Sequence, residues 1–107
     1  LKSGNLFFGK QLNDFEKNFL KLNKSKFGVA VGTGTDALII SLKVLGIGNN
    51  RNDEVITVSN TAIPTVAAIV NTGAKVKFVD VGKDFLIDVS KIKSLINSKT
   101  KAIILNH

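Results

Sequence analysis

The segment Phe27-Gly28-Val29-Ala30-Val31-Gly32-Thr33-Gly34-Thr35-Asp36-Ala37-Leu38 predicts a short apolar strand, a glycine-rich turn and the start of an apolar helix. Gly32 and Gly34 allow the backbone to turn where a Cβ would clash. Thr35 and Asp36 favour a helix N-terminus, where backbone N–H groups have no partner within the helix. Such a helix end attracts an anion, most often a phosphate.

Outward from this segment, the spacing of apolar residues predicts helices and strands in alternation. The predicted helices span residues 11–23, 36–45, 64–71 and 88–97, and the predicted strands span residues 27–31, 54–58, 76–79 and 102–105. The helix over 36–45 is apolar almost all round, which predicts deep burial. Short strands joined by single helices predict a largely parallel sheet with helices on both faces. Ligands of such sheets gather at the carboxyl ends of the strands, where Ser59–Thr61, Asp80 and His107 fall.

The composition limits the classes of protein and of site. At 107 residues the chain holds one domain at most, and because it stops on a predicted strand we expect the front part of a longer chain. It has no cysteine and one histidine, so thiolate zinc sites are excluded and no metal site is predicted. No apolar run has transmembrane length and no apolar signal segment opens the chain, so we expect a cytoplasmic protein without a membrane partner. The net charge is +7, but the lysines are scattered, so no nucleic-acid partner is expected.

The glycine turn by itself allows two contrasting interpretations. Gly32-Thr33-Gly34-Thr35-Asp36-Ala37 fits the G-x-G-x-x-A pattern of a dinucleotide site. That fingerprint also needs an acidic residue at the end of the second strand, whereas Asp53 and Glu54 lie at its start. The turn could instead be a tight strand-to-helix connection that binds nothing, but this leaves the polar cluster Ser59–Thr61 unexplained.

An ordered series of segments resembles the DegT/DnrJ/StrS family of sugar aminotransferases, and the series covers essentially all of the chain. In chain order the segments are Phe8-Gly9-Lys10, Phe15-Glu16, Gly34-Thr35-Asp36-Ala37-Leu38, Leu45-Gly46-Ile47-Gly48, Asp53-Glu54-Val55-Ile56-Thr57, Asn60-Thr61-Ala62-Ile63-Pro64-Thr65-Val66-Ala67-Ala68-Ile69, Gly73-Ala74-Lys75-Val76-Lys77-Phe78-Val79-Asp80-Val81, Ile87-Asp88 and Lys99-Thr100-Lys101-Ala102-Ile103-Ile104. The resemblance implies the front part of the large domain of an aspartate-aminotransferase-like (fold type I) protein. We expect residues 1–10 to be an irregular lead-in segment.

The resemblance implies pyridoxal 5′-phosphate (PLP) as the cofactor. Matched to the family's motif, Gly34, Thr35 and Asp36 are expected to hold the PLP phosphate with backbone N–H groups and the Thr35 hydroxyl. The Asp36 carboxylate is expected to turn away, because it would repel the phosphate. Ala62 and Thr61 are expected beside the pyridine ring, although the family commonly has an aromatic residue at the position of Ala62.

Other roles implied by the resemblance fall on both sides of this cofactor site. Asn60, Phe8 and Gly9 are candidates for the substrate side. The lysine that forms the Schiff base and the aspartate that pairs with the pyridine nitrogen are expected beyond His107. No catalytic residue is therefore expected within this chain, and the chain alone is expected to be inactive.

The implied reaction moves an amino group, usually from glutamate, to a keto group of a nucleotide-linked sugar. Such reactions serve the biosynthesis of polysaccharide or lipopolysaccharide. The family is typically homodimeric, and residues 1–10 are a candidate interface segment. Two alternatives stay open, namely a PLP-dependent sugar dehydratase of the same family and a Rossmann-like nucleotide-binding module.

Overall fold

The computed structural model describes residues 9–106, so Phe8 and His107 lie outside the described residues. The chain divides after Gly32 into two compact units. The first is described over residues 9–32 and the second over residues 33–106.

The first unit contains helix α1, which spans Lys10–Leu22 and has Gly9 as its N-cap. Its apolar residues follow the predicted stripe, and the rings of Phe15 and Phe19 stack with centroids 5.8 Å apart. Both rings are more than half exposed, and they line a groove together with Ser25 and residues 27–31. The predicted helix is therefore confirmed to within one residue at each end.

The predicted strand over residues 27–31 is wrong for this structure, because the segment is irregular. A strand exists only when a neighbouring strand accepts and donates its hydrogen bonds. Within residues 9–32 there is no second strand, and the N–H of Ala30 donates instead to the Glu16 carboxylate at 2.8 Å. Phe27 is 90% exposed, so the apolar character that predicted the strand is not used for packing.

The second unit alternates helices and strands, as predicted. Its elements are α2 (Gly34–Val44), β1 (Glu54–Val58), α3 (Ile63–Thr72), β2 (Lys75–Val79), α4 (Val89–Leu95) and β3 (Thr100–Ile103). Gly73 ends α3 in the left-handed conformation, and Pro64 lies in the first turn, where its missing N–H removes no helical hydrogen bond. Asp88 caps α4 by accepting a hydrogen bond from the N–H of Ser90.

The three strands of residues 33–106 form one parallel sheet in the order β2-β1-β3. Successive residues of the central strand point to opposite faces. Val55 packs with Leu42 of α2 and Ile69 of α3, whereas Ile56 packs on the other face beside Ile92 of α4. The predicted parallel sheet with helices on both faces is confirmed.

The deep burial predicted for α2 is wrong. Leu42 is its one buried residue, while Val44 is 81% exposed. Within residues 33–106 the helix packs chiefly against α3, so only one of its apolar sides is covered. An apolar sequence predicts that a helix face will be covered, but it does not identify the covering element.

Close packing at the ends of α2 and α3 fixes the direction of both helices. Gly48, just beyond α2, lies so near Thr72 that a Cβ on Gly48 would stand 2.7 Å from the Thr72 carbonyl carbon. Helix α3 starts directly after β1, so its N-terminus is at the carboxyl edge of the sheet. Because the two helices are of similar length, pack together and end side by side, α2 also starts at that edge.

Candidate functional site

The start of α2 is organised by Thr33. The helix begins at Gly34, two residues before the predicted start, and Thr33 is its N-cap. The Thr33 hydroxyl accepts a hydrogen bond from the N–H of Asp36 at 3.0 Å and donates one to the Asp36 carboxylate at 2.8 Å. This is a local variant of the capping box, in which the cap and the third helical residue bond reciprocally.

The cap determines which donors remain at this helix end. Within residues 33–106 the N–H groups of Gly34 and Thr35 have no acceptor, as expected for the first helical positions. The helix dipole adds partial positive charge there. Apart from the adjoining residues and the backbone of α2 itself, no atom lies within 4 Å of the position of a Cβ on Gly34, so this end has room for an approaching group. The donor set suits a phosphate.

Asp36 forms hydrogen bonds with Thr33 through both its carboxylate and its backbone N–H. Its carboxylate accepts from Thr33, so it is held by the cap. Its N–H also bonds to Thr33, so the N–H expected to face the phosphate is already engaged in this structure. The role of Asp36 in phosphate binding remains a prediction.

The loop after β1 contains the residues predicted beside the ring and the substrate. Ala62 is the N-cap of α3 and is exposed. The Thr61 hydroxyl bonds to that of Thr65 at 3.0 Å, and Thr65 is buried. The Asn60 amide donates to the backbone carbonyl of Phe85 at 3.0 Å. Asn60 thus ties the loop after β1 to the loop after β2, an interaction not predicted from the sequence.

Asp80 follows β2 and has a structural role. Its carboxylate pairs with Lys91 at 3.0 Å, and its backbone carbonyl accepts from Asp88. The Asp80 carboxylate, through this hydrogen bond and its charge, raises the pKa of Lys91 above its ordinary value. The hydroxyl of Ser90 is the main cause of a lowered pKa at Asp88.

The structure brings two predicted site segments to one edge of the sheet. Gly34–Asp36, Asn60, Thr61 and Ala62 all lie at the carboxyl edge of residues 33–106. Gly9 belongs to the first unit, where it caps α1. The described residues contain no cluster of acidic or histidine side chains suited to a metal ion. They also contain no helix long and apolar enough to cross a bilayer.

Sequence reasoning missed two residues at this edge. The role of Thr33 as the N-cap of α2 could have been predicted, because Thr33 and Asp36 have the spacing of a capping box. Phe85 has a left-handed backbone conformation with φ of 63°, and an aromatic residue gives no sequence signal for that conformation.

The parallel sheet, its flanking helices and the open helix end define an α/β protein with a helix N-terminus suited to an anion. The family model described as the DegT/DnrJ/EryC1/StrS aminotransferase family matches residues 1–107. The chain therefore belongs to this family, which argues against the Rossmann-like alternative.

Individual relatives agree with this assignment. The chain is 41% identical over 106 residues to dTDP-3-amino-3,4,6-trideoxy-alpha-D-glucose transaminase of Micromonospora megalomicea subsp. nigra. The alignment covers 98% of this chain but 28% of that enzyme, so the chain spans little more than a quarter of the relative's length.

Solved structures are similar as well. S. venezuelae DesV, in complex with a ketimine intermediate, matches with a TM-score of 0.87 and 33% identity, covering 97% of this chain and 28% of DesV. A GDP-4-keto-6-deoxymannose-3-dehydratase with a trapped PLP-glutamate geminal diamine matches with a TM-score of 0.77 and 28% identity, covering 91% of this chain and 26% of the dehydratase.

Proposed function

We propose that this chain is the N-terminal part of a PLP-dependent aminotransferase that transfers an amino group from glutamate to a keto group of a nucleotide-linked sugar. The observation that carries the proposal is the start of α2, where the Thr33 cap leaves the N–H groups of Gly34 and Thr35 without an acceptor. Membership in a family of aminotransferases supports the choice of ligand and reaction.

The residues present fit the cofactor's phosphate. The N–H groups of Gly34 and Thr35 and the hydroxyl of Thr35 are three donors at the positive end of a helix dipole. Thr33 holds the Asp36 carboxylate in a hydrogen bond, which limits its repulsion of a dianion. When bound, PLP supplies the electron sink for amino-group chemistry.

The roles beside the ring remain proposals. Ala62 and Thr61 are proposed to lie along the pyridine ring, with Thr61 held in place by its bond to Thr65. Asn60, Phe8 and Gly9 are proposed for the substrate side. The lysine and aspartate that act directly on the cofactor are proposed to come from sequence beyond His107.

The central test is cofactor binding by the full-length protein that contains this chain. Purified protein is expected to develop the visible absorbance band of bound PLP, and a Gly34→Pro variant, which removes one N–H donor, is expected to bind PLP more weakly. A matched Gly46→Ala variant, altered at the other end of α2, should keep its affinity for PLP. The proposal fails if wild-type protein supplied with PLP shows no such band.

Activity gives a second test. Full-length protein with glutamate and a nucleotide-linked keto-sugar is expected to form an amino sugar, whereas the 107-residue chain alone is expected to form none. Turnover by the isolated chain would overturn the proposal that the reactive lysine lies elsewhere.

A dehydratase is the second candidate, because a GDP-4-keto-6-deoxymannose-3-dehydratase has the same fold over 91% of this chain. The sugar product distinguishes the two activities, since an aminotransferase adds nitrogen to the sugar and a dehydratase removes a hydroxyl group. Mass spectrometry of the product decides between them.

We also propose a cytoplasmic homodimer serving polysaccharide or lipopolysaccharide biosynthesis. This part of the proposal rests on the family alone, with residues 1–10 as the candidate interface segment. Light scattering of the full-length protein tests the dimer, and a monomeric mass with full activity would contradict it.

A further inference from the structure

Phe85 has an unusual backbone conformation for an aromatic residue. Its φ is 63°, in the left-handed region that bulky side chains rarely adopt. Lys24 is the other such non-glycine residue among those described, but it directly follows the end of α1, where left-handed residues are common. Phe85 has no helix end to account for its conformation.

Several hydrogen bonds impose this conformation. The N–H of Phe85 donates to the carbonyl of Gly82 at 3.1 Å, and the N–H of Gly82 donates to the carbonyl of Leu86 at 2.8 Å. The Asn60 amide holds the Phe85 carbonyl at 3.0 Å, and Val81 pairs with Ile87 to close the loop. Strain of this kind persists only where the surrounding structure over-determines it, and it concentrates at binding sites.

The strained backbone does not bury the ring. Phe85 is 74% exposed, so the strain is not offset by packing within the described chain. The loop follows β2 and precedes α4, which places Phe85 at the carboxyl edge of the sheet. Its bond to Asn60 connects it to the loop that contains Thr61 and Ala62.

The exposed ring and its polar sequence neighbours favour one class of ligand. Lys83 and Asp84, which directly precede Phe85, are both exposed, so the ring stands in a polar segment of the loop. An exposed aromatic face can stack on a base or sugar ring. A nucleotide-linked sugar, which has flat rings and polar groups, therefore fits this loop better than a purely apolar partner.

We propose that Phe85, presented by the Asn60-anchored loop, is a specificity-determining residue that stacks on a ring of the nucleotide-linked sugar. The proposal rests on the proposed function and goes further, because it assigns substrate recognition to a loop outside the cofactor site. The ring contributes binding rather than chemistry.

The test is a substitution that removes the ring while relieving the strain. Phe85→Gly in the full-length enzyme is expected to raise KM for the nucleotide sugar about tenfold, from the loss of one stacked ring. Because the contact is made equally in ground and transition states, kcat should stay within about twofold. The melting temperature should stay the same or rise, since glycine adopts positive φ without strain.

Three further variants separate the ring from the backbone. Phe85→Asn tolerates the left-handed conformation but lacks the ring, so it should bind as weakly as Phe85→Gly. Phe85→Tyr keeps an aromatic ring, so its KM for the nucleotide sugar should stay near that of the wild type. Ile96→Ala is the matched control, because Ile96 is an exposed apolar residue at the opposite end of α4, and its KM should be unchanged.

Two outcomes would overturn the inference. One is an unchanged KM in Phe85→Gly and Phe85→Asn. The other is a lowered melting temperature in both, which would mean that another part of the protein covers the ring. Failure of the proposed function is distinct, since wild-type enzyme would then bind no PLP or would transfer no amino group.

Discussion

Replacing Gly48 by alanine should destabilise the second unit more than any other glycine substitution considered for residues 33–106. Gly48 has φ of +92°, which L-residues rarely adopt. An alanine Cβ would also stand 2.7 Å from the Thr72 carbonyl carbon and 2.9 Å from the Thr72 Cβ. Neither atom can swing away like the end of a long side chain, since one is backbone and the other is attached to it.

The cost can be divided into two parts. The left-handed conformation costs an alanine about 1–2 kcal/mol. Forcing an atom into a filled space costs about 1–3 kcal/mol more. We therefore expect Gly48→Ala to lower the free energy of unfolding by about 2–5 kcal/mol.

Two other glycines of this chain provide matched controls. Gly46 has φ of +74° but its Cβ would meet only the Asn49 side chain, at 3.5 Å, so Gly46→Ala should cost the conformational part alone, about 1–2 kcal/mol. Gly34 has neither a positive φ nor a neighbour within 4 Å, so Gly34→Ala should change stability by about 0.5 kcal/mol or less.

The assay is urea unfolding of the wild type and the three variants. The expected order of stability is wild type and Gly34→Ala, then Gly46→Ala, then Gly48→Ala. If Gly48→Ala were no less stable than Gly46→Ala, the close contact with Thr72 would not constrain the fold, and the argument for the direction of α2 would lose its basis.

Three further perturbations test the interior and its charges. The Glu54 carboxyl has a lowered pKa, chiefly because the Asn97 amide donates to it at 2.9 Å. The ionised carboxylate therefore stabilises the fold above its unfolded pKa, and this stabilisation is lost as the pH falls below about 4. Glu54→Gln should weaken the fall of the melting temperature at acid pH, and an unchanged fall would contradict this. Thr57 is fully buried, and its hydroxyl donates to the Ile104 carbonyl at 3.1 Å. Thr57→Val should therefore lower the free energy of unfolding in urea by about 1–2 kcal/mol. An unchanged free energy of unfolding would show that this hydrogen bond does not stabilise the fold. Ile69 is also fully buried, and Ile69→Ala should cost about 2–5 kcal/mol, whereas a loss under 1 kcal/mol would show that the site collapses around the cavity.

Local signals in the sequence were sufficient for most elements of the second unit. The strand over residues 54–58 was predicted with its observed bounds, because a run of β-branched residues lies between polar turns. Gly73 and Pro64 marked the ends of α3 through backbone restrictions that act within one residue. Patterns of this kind depend only on residues that are close in the sequence, so the sequence alone is enough to interpret them.

Two of the wrong predictions concern interactions with distant neighbours. The segment 27–31 is apolar enough for a strand, but pairing needs a second strand, and Glu16 satisfies the Ala30 N–H instead. Helix α2 is apolar all round, but α3 covers one side. Phe85 also interacts with a distant residue, because its backbone carbonyl accepts a hydrogen bond from Asn60, 25 residues away.

The candidate site depends on the same long-range packing that stabilises the fold. Helix α2 is 11 residues long and therefore spans about 16 Å. Its C-terminal end is positioned by the contact of Gly48 with Thr72, and because a helix is rigid over this length, that contact also sets where the N–H groups of Gly34 and Thr35 lie. A side chain at Gly48 would thus act on the proposed phosphate site from the far end of the helix. A Gly48→Ala protein that still folds should therefore bind PLP more weakly than a Gly46→Ala protein, although neither residue touches the cofactor.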